Sequence, residues 1–139
     1  MVRTGLAVVA VFVVWIGLNF LLHGVLLTAS YAASAQLWRP VAEMHAKIGL
    51  VYFVTFVSAA CFVFVYARLI PGKSLKTALL YGLIVGLGAG ISMGYGSYAV
   101  MPIPYMLALG WFLGSLVNYA IGALVMALVL GTGSPAGKA

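Results

Sequence analysis

Between residues 82 and 94, glycine recurs at every fourth position: Gly82, Gly86, Gly90 and Gly94. Because an α-helix has about 3.6 residues per turn, these glycines lie along one helix face. In a water-exposed helix each glycine is destabilising by about 1 kcal/mol relative to alanine. In a bilayer, by contrast, small residues let two helix backbones approach closely, and association depends on packing. The pattern therefore predicts a packing helix of an integral membrane protein.

The composition favours the same class. Of 139 residues, 65% are hydrophobic and 6% charged, whereas about 25% are charged in a soluble domain. The net charge of +6 arises from seven Lys and Arg against one acidic residue, Glu43. The Lys and Arg residues lie at the ends of apolar segments, a distribution typical of residues that determine the orientation of membrane helices. We therefore expect no nucleic-acid partner. With one acidic side chain, glycosidase and phosphoryl-transfer chemistry are excluded, and we expect no enzyme.

Four apolar segments are long enough to cross a hydrocarbon core of about 30 Å. We predict an all-α, four-helix transmembrane bundle forming one domain over residues 1–130, followed by a flexible tail over residues 131–139. Pro40 suits a first helical turn, and Ser74 is a candidate N-cap. Whether the first helix continues past Ser30 stays open. The predicted helices cover residues 5–30, 40–69, 75–100 and 105–130.

The distribution of basic residues predicts an orientation. One side of the bundle is expected to hold Arg3, Arg68, Lys73, Lys76 and Lys138, and the other Arg39 and Lys47. Lys and Arg are enriched in cytoplasmic loops, so both termini are expected in the cytoplasm. A short similarity between residues 30–32 and 97–99, both Ser-Tyr-Ala, indicates two pseudo-repeated hairpins. Chance similarity in segments rich in Ala, Gly and aromatic residues is the alternative.

A second small-residue face lies on the fourth helix, at Gly110, Gly114 and Gly122, with Asn118 in the same series. We predict that this face packs against the glycines of the third helix. A homodimer formed through the glycine faces is the alternative. Asn118 is expected either to contact a ligand or to form a hydrogen bond between helices.

Polar residues lie toward one end of the predicted bundle. In the first helix, Trp15, Asn19 and His23 are four residues apart and share a face. An ionisable residue within a membrane segment usually faces the bundle interior. We hypothesise an outward-facing polar pocket with His23 at its floor, suited to a metal, a haem, a quinone headgroup or a proton. The candidate ligand-binding residues are Asn19, His23, Glu43, His45, Tyr95, Tyr98 and Asn118.

These residues also have structural interpretations. Arg39, Glu43 and Lys47 are four residues apart, so Glu43 can bridge two bases on a helix surface. Glu43 and His45 do not share a helix face. The chain has no His-x-x-x-His or Cys-x-x-Cys pattern, so the sequence predicts no metal site. No pattern identifies a cofactor, and His23 can equally be an interior structural histidine.

One block of sequence resembles a known group of proteins. It contains Trp15, Asn19-Phe20 and His23-Gly24, followed by Tyr31 and the motif Leu37-Trp38-Arg39-Pro40-x-x-Glu43-Met44. This block resembles one found in small uncharacterised four-helix bacterial inner-membrane proteins. The resemblance implies a bacterial inner-membrane location and no particular activity. It would make Asn19, His23, Trp38, Arg39 and Glu43 the first residues to test.

Two functions from different classes follow. The preferred one is a non-enzymatic accessory or scaffold subunit that packs in the bilayer against itself or a larger membrane complex, because the loops are short and two helices carry small-residue faces. The alternative is a binder or transporter of a small ligand, proton, metal or hydrophobic cofactor through the pocket at His23. A binder requires Asn19, His23 and a tyrosine to converge on a cavity. A scaffold requires the same region to be closed.

Overall fold

The computed structural model describes residues 1–131, which are mainly α-helical and contain no strand. This confirms the all-α class. Within that range, four helical stretches are long and apolar enough to cross a membrane, and we call them the first to fourth spans. They are Val2–Leu26, Ile48–Leu69, Leu75–Val100 and Tyr105–Leu130. The predicted tail lies outside the described residues apart from Gly131, and so does Lys138.

Several of these stretches contain more than one helix. Two π-helical turns, Leu22–Leu26 and Ser92–Gly96, interrupt the first and third spans. A 3₁₀ turn, Ala35–Leu37, precedes Pro40. The α-helices in the described range are α1 (Val2–Leu21), α2 (Thr28–Ala33), α3 (Val41–Ala46), α4 (Ile48–Leu69), α5 (Leu75–Ile91), α6 (Ser97–Val100) and α7 (Tyr105–Leu130).

The predicted boundaries hold at some places and fail at others. The fourth helix ends as predicted, and the Ser74 hydroxyl accepts a hydrogen bond from the Thr77 backbone N–H at 3.0 Å, which confirms the N-cap. The first helical region continues past Ser30, because α2 extends to Ala33. The residues predicted to form one helix over 40–69 instead form α3 and α4, which are separated by a break at Lys47 (φ −103°, ψ 5°). Gly49 follows closely, and glycine is a weak helix former.

The glycine face of the third span packs against α7. Gly82, Gly86, Gly90 and Gly94 are all buried. A Cβ atom at Gly82 would lie 2.5 Å from the backbone oxygen of Tyr119, and a Cβ at Gly94 would lie equally close to that of Ala108. Both distances are shorter than the contacts Cβ atoms make in proteins, so only glycine permits this helix separation.

The small-residue face of α7 packs differently from the prediction. Gly110 and Gly114 lie against Leu27 and Leu22, and Gly122 lies against Trp15, so the partner is the first span. Residues two apart on a helix point in nearly opposite directions, so Gly110 and Ala108 cannot both face α5. The predicted pairing of the two glycine faces is therefore wrong. The face that α7 presents to the third span includes Ala108, Phe112, Ser115, Tyr119 and Ala123.

The hydrophobic core has two parts. We call the end of the bundle that holds Met1, residues 70–74 and Leu130 the closed end, and the opposite end the open end. At the closed end, all four spans contribute buried residues, including Val11, Tyr66, Ala78 and Met126. At the open end, the buried cluster comes from Leu27, which follows the first span, from Ile103 and from the fourth span, and none of it comes from α4. Residues 39–54 are all exposed, so α3 and the start of α4 stand away from the bundle.

Candidate functional site

The separation of α4 from the bundle leaves a cavity of about 340 Å³, which we call the polar cavity. Val51 and Val54 of α4 line it and are more than half exposed, at 53% and 54%. They therefore form its rim at the protein surface. The other spans form the remaining walls, through Trp15, Asn19, Leu22, His23, Met93, Trp111, Ser115, Asn118 and Tyr119, opposite Thr55 and Ser58 of α4.

Two asparagines meet between the first and fourth spans. The Nδ2 atom of Asn118 donates a hydrogen bond to Oδ1 of Asn19 at 2.6 Å. The Trp15 indole donates to the backbone oxygen of Asn118 at 2.9 Å. The predicted interhelical hydrogen bond of Asn118 is thus present. Its own Oδ1 is buried without a hydrogen-bond partner among residues 1–131.

This unpartnered oxygen is a chemical feature of the site. A buried polar group left without a partner is destabilising by about 1–3 kcal/mol. Such a group in a native structure is usually satisfied by an ordered water or a ligand. Asn118 also lines the polar cavity. Because this oxygen is itself buried, a molecule bound there donates a hydrogen bond to it only after a small shift of the Asn118 side chain.

His23 belongs to a chain of hydrogen bonds. Its Nδ1 lies 2.6 Å from the phenol oxygen of Tyr31, and that oxygen accepts a hydrogen bond from the Trp111 indole at 2.8 Å. Because the Trp111 N–H donates a hydrogen bond to the phenol oxygen, the phenol O–H is free to donate to Nδ1. Nδ1 is then the acceptor, so a neutral imidazole carries its proton on Nε2. In the described part of the chain no side chain bonds to Nε2. The arrangement leaves Nε2 as a donor.

Tyr31 keeps its proton in this chain. Burial raises the pKa of the Tyr31 phenol above its usual range. The hydrogen bond from Trp111 lowers this pKa, but by less than burial raises it. The ring also packs edge-on against Trp38, with centroids 5.3 Å apart, and Trp38 donates to the Ser34 hydroxyl at 3.1 Å. These contacts hold α2 against the start of α7 and fix the position of the group that orients His23.

The π-helical turn explains how Tyr31 reaches His23. In a continuous α-helix, residues eight apart are rotated by about 80° from each other. The turn over Leu22–Leu26 has a hydrogen bond from the Leu27 N–H to the Leu22 oxygen, five residues back. It thereby absorbs one extra residue, and the rotation between the two side chains falls to about 20°. The second π-helical turn places Met93 in the cavity wall.

Four of the predicted site residues lie elsewhere. Glu43 pairs with Arg39 at 3.4 Å on the surface, and His45 is exposed, because α3 stands away from the bundle. The hydroxyls of Tyr95 and Tyr105 are 3.3 Å apart. Tyr98 packs edge-on against Tyr105, and Tyr98 as a whole is 46% exposed. None of the four lines the polar cavity, so the predicted convergence fails for them.

Sequence reasoning missed several residues of this site, including the two that form the chain of hydrogen bonds with His23. Tyr31 and Trp111 were not among the candidates, although Tyr31 orients His23. The spacing of Tyr31 from His23 indicates a shared face only once the π-helical turn is known. Trp111 is separated from Tyr31 by 80 positions, so local periodicity carries no signal for their contact.

The site contains no charged cluster. No group of three His, Cys, Asp or Glu side chains that could hold a metal occurs within residues 1–131. Comparison of the chain with protein-family models, with curated proteins and with solved structures gives no match. The chemistry of the polar cavity is the basis for inferring function.

Proposed function

We propose that this protein is a multi-pass membrane protein that binds a small, uncharged, hydrogen-bonding ligand in the polar cavity. The observation that carries the proposal is the convergence of Asn19, His23 and Asn118, beside Tyr119, on a cavity of about 340 Å³. This volume lies within the range of about 300–1,000 Å³ that is typical of ligand pockets. The buried Oδ1 of Asn118 supplies an acceptor that the protein itself leaves unused.

The lining residues favour a neutral ligand. No Lys, Arg, Asp or Glu lines the polar cavity, so a charged ligand would lack a counter-charge. Within the described residues, the hydroxyls of Ser58 and Ser115 form no hydrogen bond to another side chain or to the backbone. Together with Nε2 of His23, they offer donors and acceptors beside the apolar faces of Trp15 and Trp111. The ligand is therefore a molecule with a hydroxyl or carbonyl group and an apolar body.

The membrane setting supports the same conclusion. Polar atoms without partners are unfavourable in hydrocarbon, so several of them around one cavity favour a bound polar molecule. Arg3, Arg68, Lys73 and Lys76 lie at the closed end, which the positive-inside rule assigns to the cytoplasm. In the bacterial inner membrane, the open end and its cavity then face the opposite side.

A cavity-filling variant tests the proposal. Thr55 lines the cavity near the loosely packed start of α4, and its hydroxyl bonds only to the Val51 backbone oxygen, so Thr55→Phe fills the space without breaking a hydrogen bond between helices. Val57→Phe adds the same ring on the exposed side of α4. Protein in lipid nanodiscs would be extracted with solvent, and bound molecules identified by mass spectrometry. We expect one neutral compound in the wild type and Val57→Phe and its loss in Thr55→Phe; equal content in all three contradicts the proposal.

A second function is favoured by one observation. Residues 39–54 are exposed, so within residues 1–131 nothing covers this stretch of α3 and α4. An accessory subunit, packed in the bilayer against itself or a larger complex, would cover them. Native mass spectrometry after extraction in mild detergent would then show an assembly. A monomer under those conditions contradicts the accessory role.

A further inference from the structure

A second cavity adjoins the polar cavity between α4 and α5. Its volume is about 400 Å³, and we call it the apolar cleft. Cys61 and Val65 line it on α4, and Val85 lines it on α5. Ser58 and Tyr119 line both the cleft and the polar cavity. The two spaces are therefore neighbours that share a wall at mid-height of α4.

The cleft and the cavity have opposite chemistry. Beyond the shared Ser58 and Tyr119, the cleft has one hydroxyl, that of Tyr81, which donates to the Phe62 backbone oxygen at 2.9 Å. The cleft therefore offers a ligand little besides apolar surface. A purely polar ligand would leave it unused, and a purely apolar ligand would leave the polar groups of the cavity unpaired. A molecule that joins a polar group to an apolar chain matches both spaces.

The order of the two spaces along α4 gives a bound amphiphile a direction. The polar cavity extends along α4 from Val51 to Ser58 and the cleft from Ser58 to Val65. Each interval is roughly 10 Å long, at about 1.5 Å per residue. Since α4 begins at the open end, the cleft lies deeper in the span. An amphiphile bound in both spaces therefore has its headgroup on the open-end side of the middle of the span and its chain beyond it, toward the closed end.

We propose that the ligand is a single-chain amphiphile with an uncharged hydroxyl- or carbonyl-bearing headgroup. The headgroup occupies the polar cavity, and the chain lies in the apolar cleft. The ligand enters sideways from the bilayer at the rim of the polar cavity, because the start of α4 stands away from the other spans there. This inference rests on the proposed function, and it adds the class of ligand and the position of its chain.

The protein contains a reporter for each space. Trp15 and Trp111 line the polar cavity, so their fluorescence reports the headgroup. Cys61 is the only cysteine and lines the cleft, so its rate of alkylation by N-ethylmaleimide reports the chain. The probes are monolauroylglycerol, which has a long chain, and monobutyroylglycerol, which has the same headgroup and a short one. Both are added to protein in phosphatidylcholine nanodiscs, which avoids competition from detergent.

We expect both probes to change the tryptophan fluorescence of the wild type and neither to change that of Thr55→Phe. Monolauroylglycerol should slow alkylation of Cys61 by about fivefold or more, and monobutyroylglycerol should leave it unchanged. The matched control is the double variant Cys61→Ser and Phe64→Cys, which moves the thiol to an exposed position on α4. Its alkylation should not respond to either probe.

The outcomes separate this inference from the proposed function. A fluorescence change without protection of Cys61 overturns the chain position and leaves the headgroup site standing. Equal protection of Cys61 and of the thiol at position 64 also overturns it, because the probe then acts through the bilayer. A wild type whose fluorescence responds to neither probe, or responds as Thr55→Phe does, overturns this inference; the proposed function falls only if extraction finds equal content of bound compounds in the wild type, Val57→Phe and Thr55→Phe.

Discussion

The two ends of the bundle are built in different ways. At the closed end, Ala7, Ala59, Ala78 and Ala123 are fully buried, and all four spans meet around them. At the open end, the first and fourth spans pack without α4, and the polar residues Asn19 and His23 border the gap. Packing of all four spans therefore holds the molecule together at the closed end, with the apolar cleft at the edge of that core, and leaves the polar cavity toward the open end. A bundle that is tight at one end can keep an open, polar site at the other.

The strongest test of this comparison is a larger side chain on the tight α5–α7 contact. Gly82→Leu would place a Cβ 2.5 Å from the Tyr119 oxygen and 2.6 Å from the Ala123 Cβ. Overpacking is destabilising by about 1–3 kcal/mol and occasionally more, and the clash with backbone places Gly82→Leu at the upper end of that range. Thermal unfolding in nanodiscs should show a large loss of stability. Gly88→Ala is the control, because a Cβ there would have no atom of another helix within 4 Å, and it should show no loss of stability.

A smaller effect is expected from Tyr31→Phe at the open end. The change leaves the Trp111 indole and Nδ1 of His23 without their partner while the ring stays in place. Unpaired buried groups of this kind are destabilising by about 1–3 kcal/mol. Binding of monobutyroylglycerol should weaken as well, because His23 loses its orientation. Tyr98→Phe, which removes an exposed hydroxyl, should change neither stability nor binding.

The hydrogen bond between Asn19 and Asn118 should contribute less. Double-mutant cycles give such interhelical bonds in membranes about 0.6 kcal/mol on average. Asn19→Leu, Asn118→Leu and the double variant would be compared with the wild type by unfolding in nanodiscs. A coupling energy near zero would show that the contact of 2.6 Å does not stabilise the pairing of α1 and α7.

The smallest effect is expected for the surface pair of Arg39 and Glu43. Their side chains are 64% and 55% exposed, and the contact is 3.4 Å. Exposed pairs contribute at most about 1 kcal/mol and often nothing measurable. Glu43→Gln should therefore unfold like the wild type and bind the probes equally. A marked loss of binding would show that Glu43 belongs to the polar cavity after all, and it would contradict the separation of α3 from that cavity.

The parts of the structure that depend on local sequence were predictable. Hydrophobic length defines the four spans, and Ser74 caps α5 through a bond to the nearby Thr77. The spacing of the glycines identified a packing face on α5 and another on α7. Spacing does not identify the partner of a face, which is why Gly114 was paired with α5 although it lies against Leu22.

The candidate site was predictable only in part. Asn19 and His23 were found because they share a helix face in an apolar segment. Glu43 and His45 were included because hydropathy cannot show that α3 leaves the bundle. Tyr31 and Trp111 were missed because their contact depends on the π-helical turn and on helix packing across 80 positions.

The π-helical turn at Leu22–Leu26 also has a consequence for changes in chain length. It already contains one residue more than a regular helix needs, so removal of Val25, which is 51% exposed, should convert it to ordinary α-helix. Tyr31 would then follow His23 at an interval of seven residues and keep the same direction. A deletion that would disrupt most membrane helices should therefore be tolerated here.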